Sequence, residues 1–76
     1  MNTSLFVGLC YDIGLSVEFK EAMTVVFSGE DSVIAEVGER FSGDYCIDTW
    51  GETDDHTRFV SGVVPEYALT PIEERE

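Results

Sequence analysis

Hydrophobic and polar residues alternate along residues 15–28 of this 76-residue chain. Six of the seven odd-numbered positions are apolar and five of the seven even-numbered positions are polar, which is the period-two pattern of a half-buried β-strand. Because 14 residues exceed the usual length of one strand, we expect a bend or hairpin near Lys20 and Glu21. A helix is the alternative, since five apolar residues also recur at helical spacing: Leu15, Phe19, Ala22, Met23 and Val26.

The segments on either side predict one more strand and one helix. Residues 4–11 form a short apolar run rich in strand formers, and turn-forming residues follow it, so we expect a first strand there. Asp31 or Ser32 can cap a helix that extends to Phe41, because apolar residues recur at helical spacing in this segment.

A β-hairpin is predicted next, with residues 45–50 as its first strand and residues 56–64 as the returning strand, which Pro65 ends. The tail over about residues 70–76 is short and charged, and we expect it to be frayed. Residues 1–76 are thus predicted to form a single small acidic domain of the α+β class. Its architecture would be a small antiparallel sheet of four or five strands with one helix packed on a face.

The candidate core consists of the apolar residues that these elements direct inward: Phe6, Leu9, Phe19, Val25, Phe27, Ile34, Val37, Phe41, Ile47, Phe59 and Val63. Cys10 and Cys46 each lie in an apolar, strand-like run. Without an export signal, two thiols more often stay reduced as small core residues than form a disulfide. Trp50 fits either a core position or an interface position.

Charge narrows the class of partner. Sixteen acidic residues face four Lys and Arg, which gives a formal net charge of −12. Self-repulsion at this charge destabilises the compact state, so we expect a function beyond solubility to maintain it. Direct binding of nucleic acid or of an anionic membrane is not expected, since both draw on clustered basic residues. The 43% content of hydrophobic residues argues for a folded domain over a disordered acidic tail.

Residues 30–55 contain nine acidic residues and one basic residue, Arg40. We predict that they form a continuous anionic band resembling the charge array of a DNA backbone, with an aromatic anchor inside it. A solvated acidic face without a partner is the alternative. The predicted partner-binding residues are Glu30, Asp31, Glu36, Glu39, Asp44, Asp48, Trp50, Glu52, Asp54 and Asp55.

The stretch DYCIDTWGETDDHTRF, residues 44–59, also raises the question of a metal or catalytic site. Asp48, Glu52, Asp54 and Asp55 are hard oxygen donors, suited to calcium or magnesium, but their spacing does not match a calcium-binding loop. His56 lies beside acids in a predicted hairpin loop, without a convergent nucleophile or oxyanion stabiliser. We therefore expect no metal, no cofactor and no enzymatic activity, and we expect His56 to be an ordinary surface residue.

These properties predict an acidic binding protein that acts as a DNA mimic. It would occlude the basic nucleic-acid-binding surface of a target protein, as do inhibitors that phages and mobile elements use in counter-defence. The alternative is a small adaptor or subunit that binds a protein partner through an apolar sheet edge or the Trp50 region. Salt would weaken the first mode steeply and the second much less.

The sequence predicts neither an export signal nor a membrane-spanning segment. The first residues lack a basic segment, and no apolar stretch approaches the ~20 residues that span a bilayer. We therefore expect a cytoplasmic protein, acting in the host cytoplasm if a phage encodes it.

Overall fold

The computed structural model describes residues 1–29 and 31–76, and its fold is α+β. The elements follow in the order α1 (Thr3–Asp12), β1 (Ser16–Lys20), β2 (Met23–Ser28), β3 (Ser32–Gly38), β4 (Tyr45–Ile47), α2 (Asp54–Leu69) and a 3-10 helix (Ile72–Glu74). The strands form one antiparallel sheet in the order β1-β2-β3-β4. The predicted α+β class and small antiparallel sheet, expected to have four or five strands, are confirmed with four strands, although the described residues form two α-helices where the sequence predicted one.

The bend expected near Lys20 and Glu21 is confirmed as a two-residue turn between β1 and β2. Lys20 pairs with Met23 across this turn, and Glu21 takes a φ of 54°. The helical alternative for this segment is wrong. Pairing between the two strands satisfies the hydrogen-bonding groups of the backbone and places the cross-strand pair Val17 and Val26 in the core.

The strand predicted for residues 4–11 is wrong, because these residues belong to α1. Asn2 caps the helix: its Oδ1 accepts a hydrogen bond from the Leu5 N–H at 2.8 Å. Phe6 and Cys10 are four residues apart and both are completely buried, as expected for one face of a helix. A short apolar run is compatible with either element, and here the polar cap favours the helix.

The helix predicted from residue 31 or 32 to 41 is also wrong, because this segment forms β3. The pairing between β2 and β3 shifts between Val26 and Phe27, which leaves Ile34 as an extra residue in β3. Through this bulge both Ile34 and Ala35 contact the core. The bulge interrupts the alternation of polarity, and this is why the segment resembled a helix.

The returning strand predicted for residues 56–64 is wrong as well, so the second hairpin does not form. Thr53 caps α2 by accepting the His56 N–H at 3.2 Å, and Pro65 lies inside the helix instead of ending the element. With 16 residues, α2 is the longer helix, and neither α-helix in the described part of the chain is long and apolar enough to cross a bilayer. Four buried residues recur along it at helical spacing: Val60, Val64, Tyr67 and Ala68.

Both helices pack on one face of the sheet, and the core lies between them and that face. The predicted core residues Phe6, Ile34 and Val37 are in this core, while Leu9, Ile47, Phe59 and Val63 are partly buried. Phe19 and Phe41 were predicted wrongly, because their side chains are 60% and 71% exposed. Val25 and Phe27 are buried but lie outside the core cluster, on the opposite face of the sheet.

The two cysteines differ in environment. Cys10 is buried in the core, and this burial raises the pKa of its thiol to about 12. Cys46 was expected to be a core residue but is exposed on β4. Both thiols are free.

The C-terminal tail, which the sequence predicted to be frayed, is packed against the domain. Arg75 is only 2% exposed. Its guanidinium donates to the carbonyls of Gly38 at 2.9 Å, Thr70 at 3.0 Å and Ala68 at 2.6 Å. This single side chain therefore joins the end of α2 to the end of β3.

Candidate functional site

The topology brings one group of acidic residues to one end of the sheet. β1 and β3 begin at this end, β2 and β4 finish there, and the chain leaves α1 and enters α2 beside it. We call this region the acidic end, defined by Asp12, Asp31, Asp48, Glu52, Asp54 and Asp55. All of these except Glu52 are exposed. Glu30, one of the predicted partner-binding residues, lies outside the described residues.

The loop between β4 and α2, residues 48–53, is held by consecutive hydrogen bonds. The Asp48 N–H donates to the Ile34 carbonyl at 2.9 Å, which extends the β3–β4 pairing. The Trp50 N–H donates to Asp48 Oδ1 at 3.2 Å, and the Glu52 N–H donates to the carbonyl three residues earlier at 2.9 Å. This segment, which we call the Trp50 loop, therefore has a defined backbone.

Trp50 presents its side chain to solvent from this defined backbone. It is 93% exposed, so it is not a core residue. A large aromatic ring that is left in water does not contribute burial energy to folding, whereas Trp is among the residues most enriched at binding hot spots. Trp50 is thus an apolar group available to a partner, on a loop that begins with the exposed Asp48 and leads to the exposed Asp54 and Asp55.

His56 and Glu52 anchor the Trp50 loop to the rest of the domain. His56 Nδ1 lies 3.0 Å from Glu52 Oε1, and His56 Nε2 lies 3.1 Å from the Ile13 carbonyl. Their side chains are only 21% and 13% exposed. The prediction of His56 as an ordinary residue of an exposed hairpin loop is therefore wrong.

The protonation of this pair follows from its geometry. Both ring nitrogens of His56 face acceptors, and only the protonated imidazolium can donate to both. The hydrogen bond with Glu52 is the main cause that raises the pKa of His56. A hydrogen bond with the Ser28 side chain, followed by the one with His56, lowers the pKa of Glu52. Glu52 thus has a structural role within the acidic end.

Three of the predicted partner-binding residues lie away from the acidic end. Glu36 is on the exposed face of the sheet, while Glu39 and Asp44 are at the opposite end. Glu39, predicted as a partner-binding residue of the anionic band, instead accepts hydrogen bonds within the domain from Tyr67 at 2.8 Å and from Arg75 at 3.1 Å. The anionic residues are therefore divided among two ends and one face.

No three His, Cys, Asp or Glu side chains converge as a metal site would require, among the residues that the structure describes. Asp54 and Asp55 occupy the first turn of α2. Carboxylates at that position interact favourably with the unpaired N–H groups and the dipole of the helix. Stabilisation of the first turn of α2 thus accounts for Asp54 and Asp55, two of the carboxylates of the acidic end.

The sequence contained a signal for α2 but none for the burial of Arg75. For α2, Thr53 precedes two acidic residues, and apolar residues at 60, 63, 64, 67 and 68 follow at helical spacing. In contrast, nothing local marks Arg75 as buried, because its carbonyl partner in Gly38 is 37 residues away.

No match to a protein family, to a curated protein or to a solved structure was found for this chain. The acidic end combines dispersed negative charge with one exposed aromatic ring on a defined loop, and this combination suits binding.

Proposed function

We propose that this protein binds the basic surface of a nucleic-acid-binding protein through its acidic end and, as a DNA mimic, occludes that surface. The observation that carries the proposal is Trp50, which is 93% exposed on a hydrogen-bonded loop between acidic residues. Carboxylates steer a basic partner toward this end and set the orientation of the complex. The indole then supplies the buried aromatic anchor that such an interface needs.

The distribution of cations favours the same surface. Lys20 and Arg40 belong to the opposite end of the sheet, and Arg75 is buried there as well. Only Arg58, in the first half of α2, is close in sequence to the acidic end. The negative potential at the acidic end is therefore little compensated, which favours a basic partner.

The biological role that fits this binding mode is inhibition, of the kind that a phage directs at a host defence protein. The adaptor function remains a second candidate, because an exposed Trp50 also suits an interface that is mainly apolar. Ionic strength separates the two, since raising it weakens an electrostatic interface much more than an apolar one.

The test is a pull-down with the immobilised protein, followed by elution with duplex DNA and identification of the eluted proteins by mass spectrometry. We expect the captured proteins to be nucleic-acid-binding proteins and to be displaced by the DNA. The double variant Asp12→Lys/Asp31→Lys should lose them, mainly through slower association, because it reverses charge at the acidic end. Trp50→Ala should lose them through faster dissociation.

The matched control is Glu66→Lys/Glu73→Lys, which changes the net charge equally at exposed positions away from the acidic end. It should keep the captured proteins. If both double variants behave alike, or if DNA displaces none of the captured proteins, the proposed function is contradicted. Capture that resists both salt and DNA would favour the adaptor function.

A further inference from the structure

The face of the sheet opposite the helices carries an apolar column. Met23, Val25 and Phe27 of β2 lie along its middle, and Val33 of β3 pairs with Phe27 beside them. Val25 and Phe27 are 7% and 9% exposed, and Val33 is 41% exposed. We call these four residues the β2 column. None of them belongs to the core cluster that the two helices cover.

Carboxylates flank the β2 column on both sides. Val25 pairs with Glu18 of β1 on one side and with Glu36 of β3 on the other. Directly opposed residues have Cβ atoms ~5 Å apart, so both carboxylates border the column. Both glutamates are exposed. A groove of about 370 Å³ crosses this face and is lined by Lys20, Glu21, Met23, Val25, Val33 and Glu36.

Lys20 shows what kind of group this face accommodates. Its Nζ lies 5.4 Å from the centre of the Phe27 ring and 3.5 Å from Glu18 Oε2. A cation over an aromatic ring and beside a carboxylate is a favourable arrangement. The Lys20 and Glu18 side chains are 63% and 57% exposed, so this internal pair is weakly held and can be displaced.

We propose that the open face of the sheet binds an amphipathic segment of a partner protein, one with an apolar stripe flanked by Lys or Arg. The apolar stripe would contact Met23 and Val33 first and would reach Val25 and Phe27 once it displaces the Lys20 side chain, and the basic residues would meet Glu18 and Glu36. From Met23 to Phe27 the column measures about 13 Å at ~3.3 Å per residue, which is close to the ~12 Å between residues i and i+8 on one face of a helix.

Charge complementarity selects this occupant over a second copy of the chain. Two copies that met through this face would bring the glutamates beside the column together in a protein of net charge −12, and like charges at an interface are unfavourable. The surface is separate from the acidic end, so it does not depend on the proposed function.

The first experiment is an NMR titration of the isotope-labelled protein at ~150 mM salt, near physiological ionic strength. The probe is a synthetic amphipathic helical peptide of Leu and Lys. One comparison peptide has Ser in place of Leu, and another has Glu in place of Lys. We expect shift changes centred on Val25, Phe27 and Val33, with binding at least about tenfold weaker for both comparison peptides. Changes confined to the acidic end, or equal binding of the Ser peptide, would overturn the proposal.

Matched variants test the two parts of the surface. Val25→Thr/Val33→Thr keeps the β-branched shape and should weaken binding about tenfold, whereas Leu5→Ser, at a residue 52% exposed on α1, should not. Glu18→Gln/Glu36→Gln should weaken binding about fivefold, because two exposed charge pairs are lost. The control Glu66→Gln/Glu73→Gln removes the same charge elsewhere, and an equal loss in this control would overturn the role of the flanking glutamates.

Lys20→Ala tests the surface in the opposite direction, because this substitution should not weaken peptide binding. If Lys20 occupies the place of a partner's cation, its removal should leave peptide binding at least as tight as in the wild type and up to about threefold tighter. Weaker binding would contradict the assignment. The amide spectrum of each free variant, compared with that of the wild type, establishes that the fold is retained.

Discussion

At the scale of single residues, Glu21 is the clearest case of local backbone strain. It takes a φ of 54° at the first central position of the β1–β2 turn. Turns with a positive φ at this position favour Gly, and other residues are strained there by about 1 kcal/mol or more. The hairpin therefore forms because its strands pair, in spite of its turn residue.

We predict that Glu21→Gly raises the free energy of unfolding by about 1 kcal/mol, because Gly takes a positive φ without strain. Urea unfolding of the two proteins measures this. Glu21→Ala is the matched control, since it removes the same charge but keeps the Cβ that causes the strain. An equal gain in both variants would show that charge, and not backbone strain, is responsible.

The pair of His56 and Glu52 makes stability depend on pH. Because the folded-state pKa of His56 is raised, its contribution is fully present below the unfolded value of ~6.5 and is lost as the pH rises through the folded pKa. The folded-state pKa of Glu52 is lowered, so its contribution is present above its unfolded value of ~4.3 and is lost as the pH falls through the folded pKa. The pair therefore stabilises the fold most between about pH 4.3 and 6.5.

We predict that His56→Gln costs more stability at pH 6 than at pH 8, because only the imidazolium donates to both Glu52 and the Ile13 carbonyl. Thermal unfolding of the wild type and the variant at the two pH values measures this difference. Arg58→Gln removes an exposed cation from the same helix and should show the same small cost at both pH values. A cost of His56→Gln that does not change with pH would contradict the assigned hydrogen bonds.

At the scale of elements, the C-terminal 3-10 helix is held in place by Arg75. The guanidinium donates to three carbonyls and to Glu39, and its central carbon lies 4.8 Å from the centre of the Tyr67 ring. A planar fork with several donors fits this set of acceptors, and the single ammonium of Lys cannot reproduce it. The tail is therefore part of the folded unit.

We predict that Arg75→Ala lowers the free energy of unfolding by about 3–5 kcal/mol, since it leaves Glu39 and buried carbonyls without their donor. Such a loss is a large fraction of the ~5–15 kcal/mol that is typical of a domain. Chemical denaturation measures it, with Arg75→Lys expected to be only partly better. Arg40→Ala removes an exposed cation and should change stability by no more than about 0.5 kcal/mol. A similar loss in the Arg40 variant would point to net charge as the cause.

At the scale of the whole molecule, a formal charge of −12 acts on a compact chain with a radius of gyration of 11.2 Å. The molecule extends over 33 × 20 × 17 Å and the Debye length is ~10 Å at 0.1 M salt, so repulsion acts mainly between carboxylates that lie near one another, as at the acidic end. The few cations do not offset it, because one of the four is buried with its own partners.

We predict that raising NaCl from 0.05 to 1 M at pH 7 increases the melting temperature, because the Debye length falls to ~3 Å and screens this repulsion. The variant Asp12→Asn/Asp31→Asn carries less charge at the acidic end and should gain less from the same salt. A melting temperature that does not respond to salt, or an equal gain in the variant, would show that these carboxylates do not repel one another appreciably.

The sequence by itself determined the properties that depend on short-range pattern and composition. Alternating polarity over residues 15–28 favoured the β1–β2 hairpin over the helical alternative, because both of its strands bury one face and are adjacent in the chain. The net charge and the α+β class with a small antiparallel sheet were likewise predictable, although the assignment of several segments to strands or helices was not. These features require no knowledge of distant partners.

Only the tertiary structure decided the features that depend on pairing and packing between elements. Residues 32–38 form a strand because they pair with β2 on one side and β4 on the other, and the bulge at Ile34 interrupts the alternating pattern that would have marked this strand. Glu39 turned from a predicted surface acid into an internal acceptor because Arg75, 36 residues later, folds back onto it. The open face of the sheet exists because both helices pack on the other side. In each case the decisive contact joins residues that no local pattern relates.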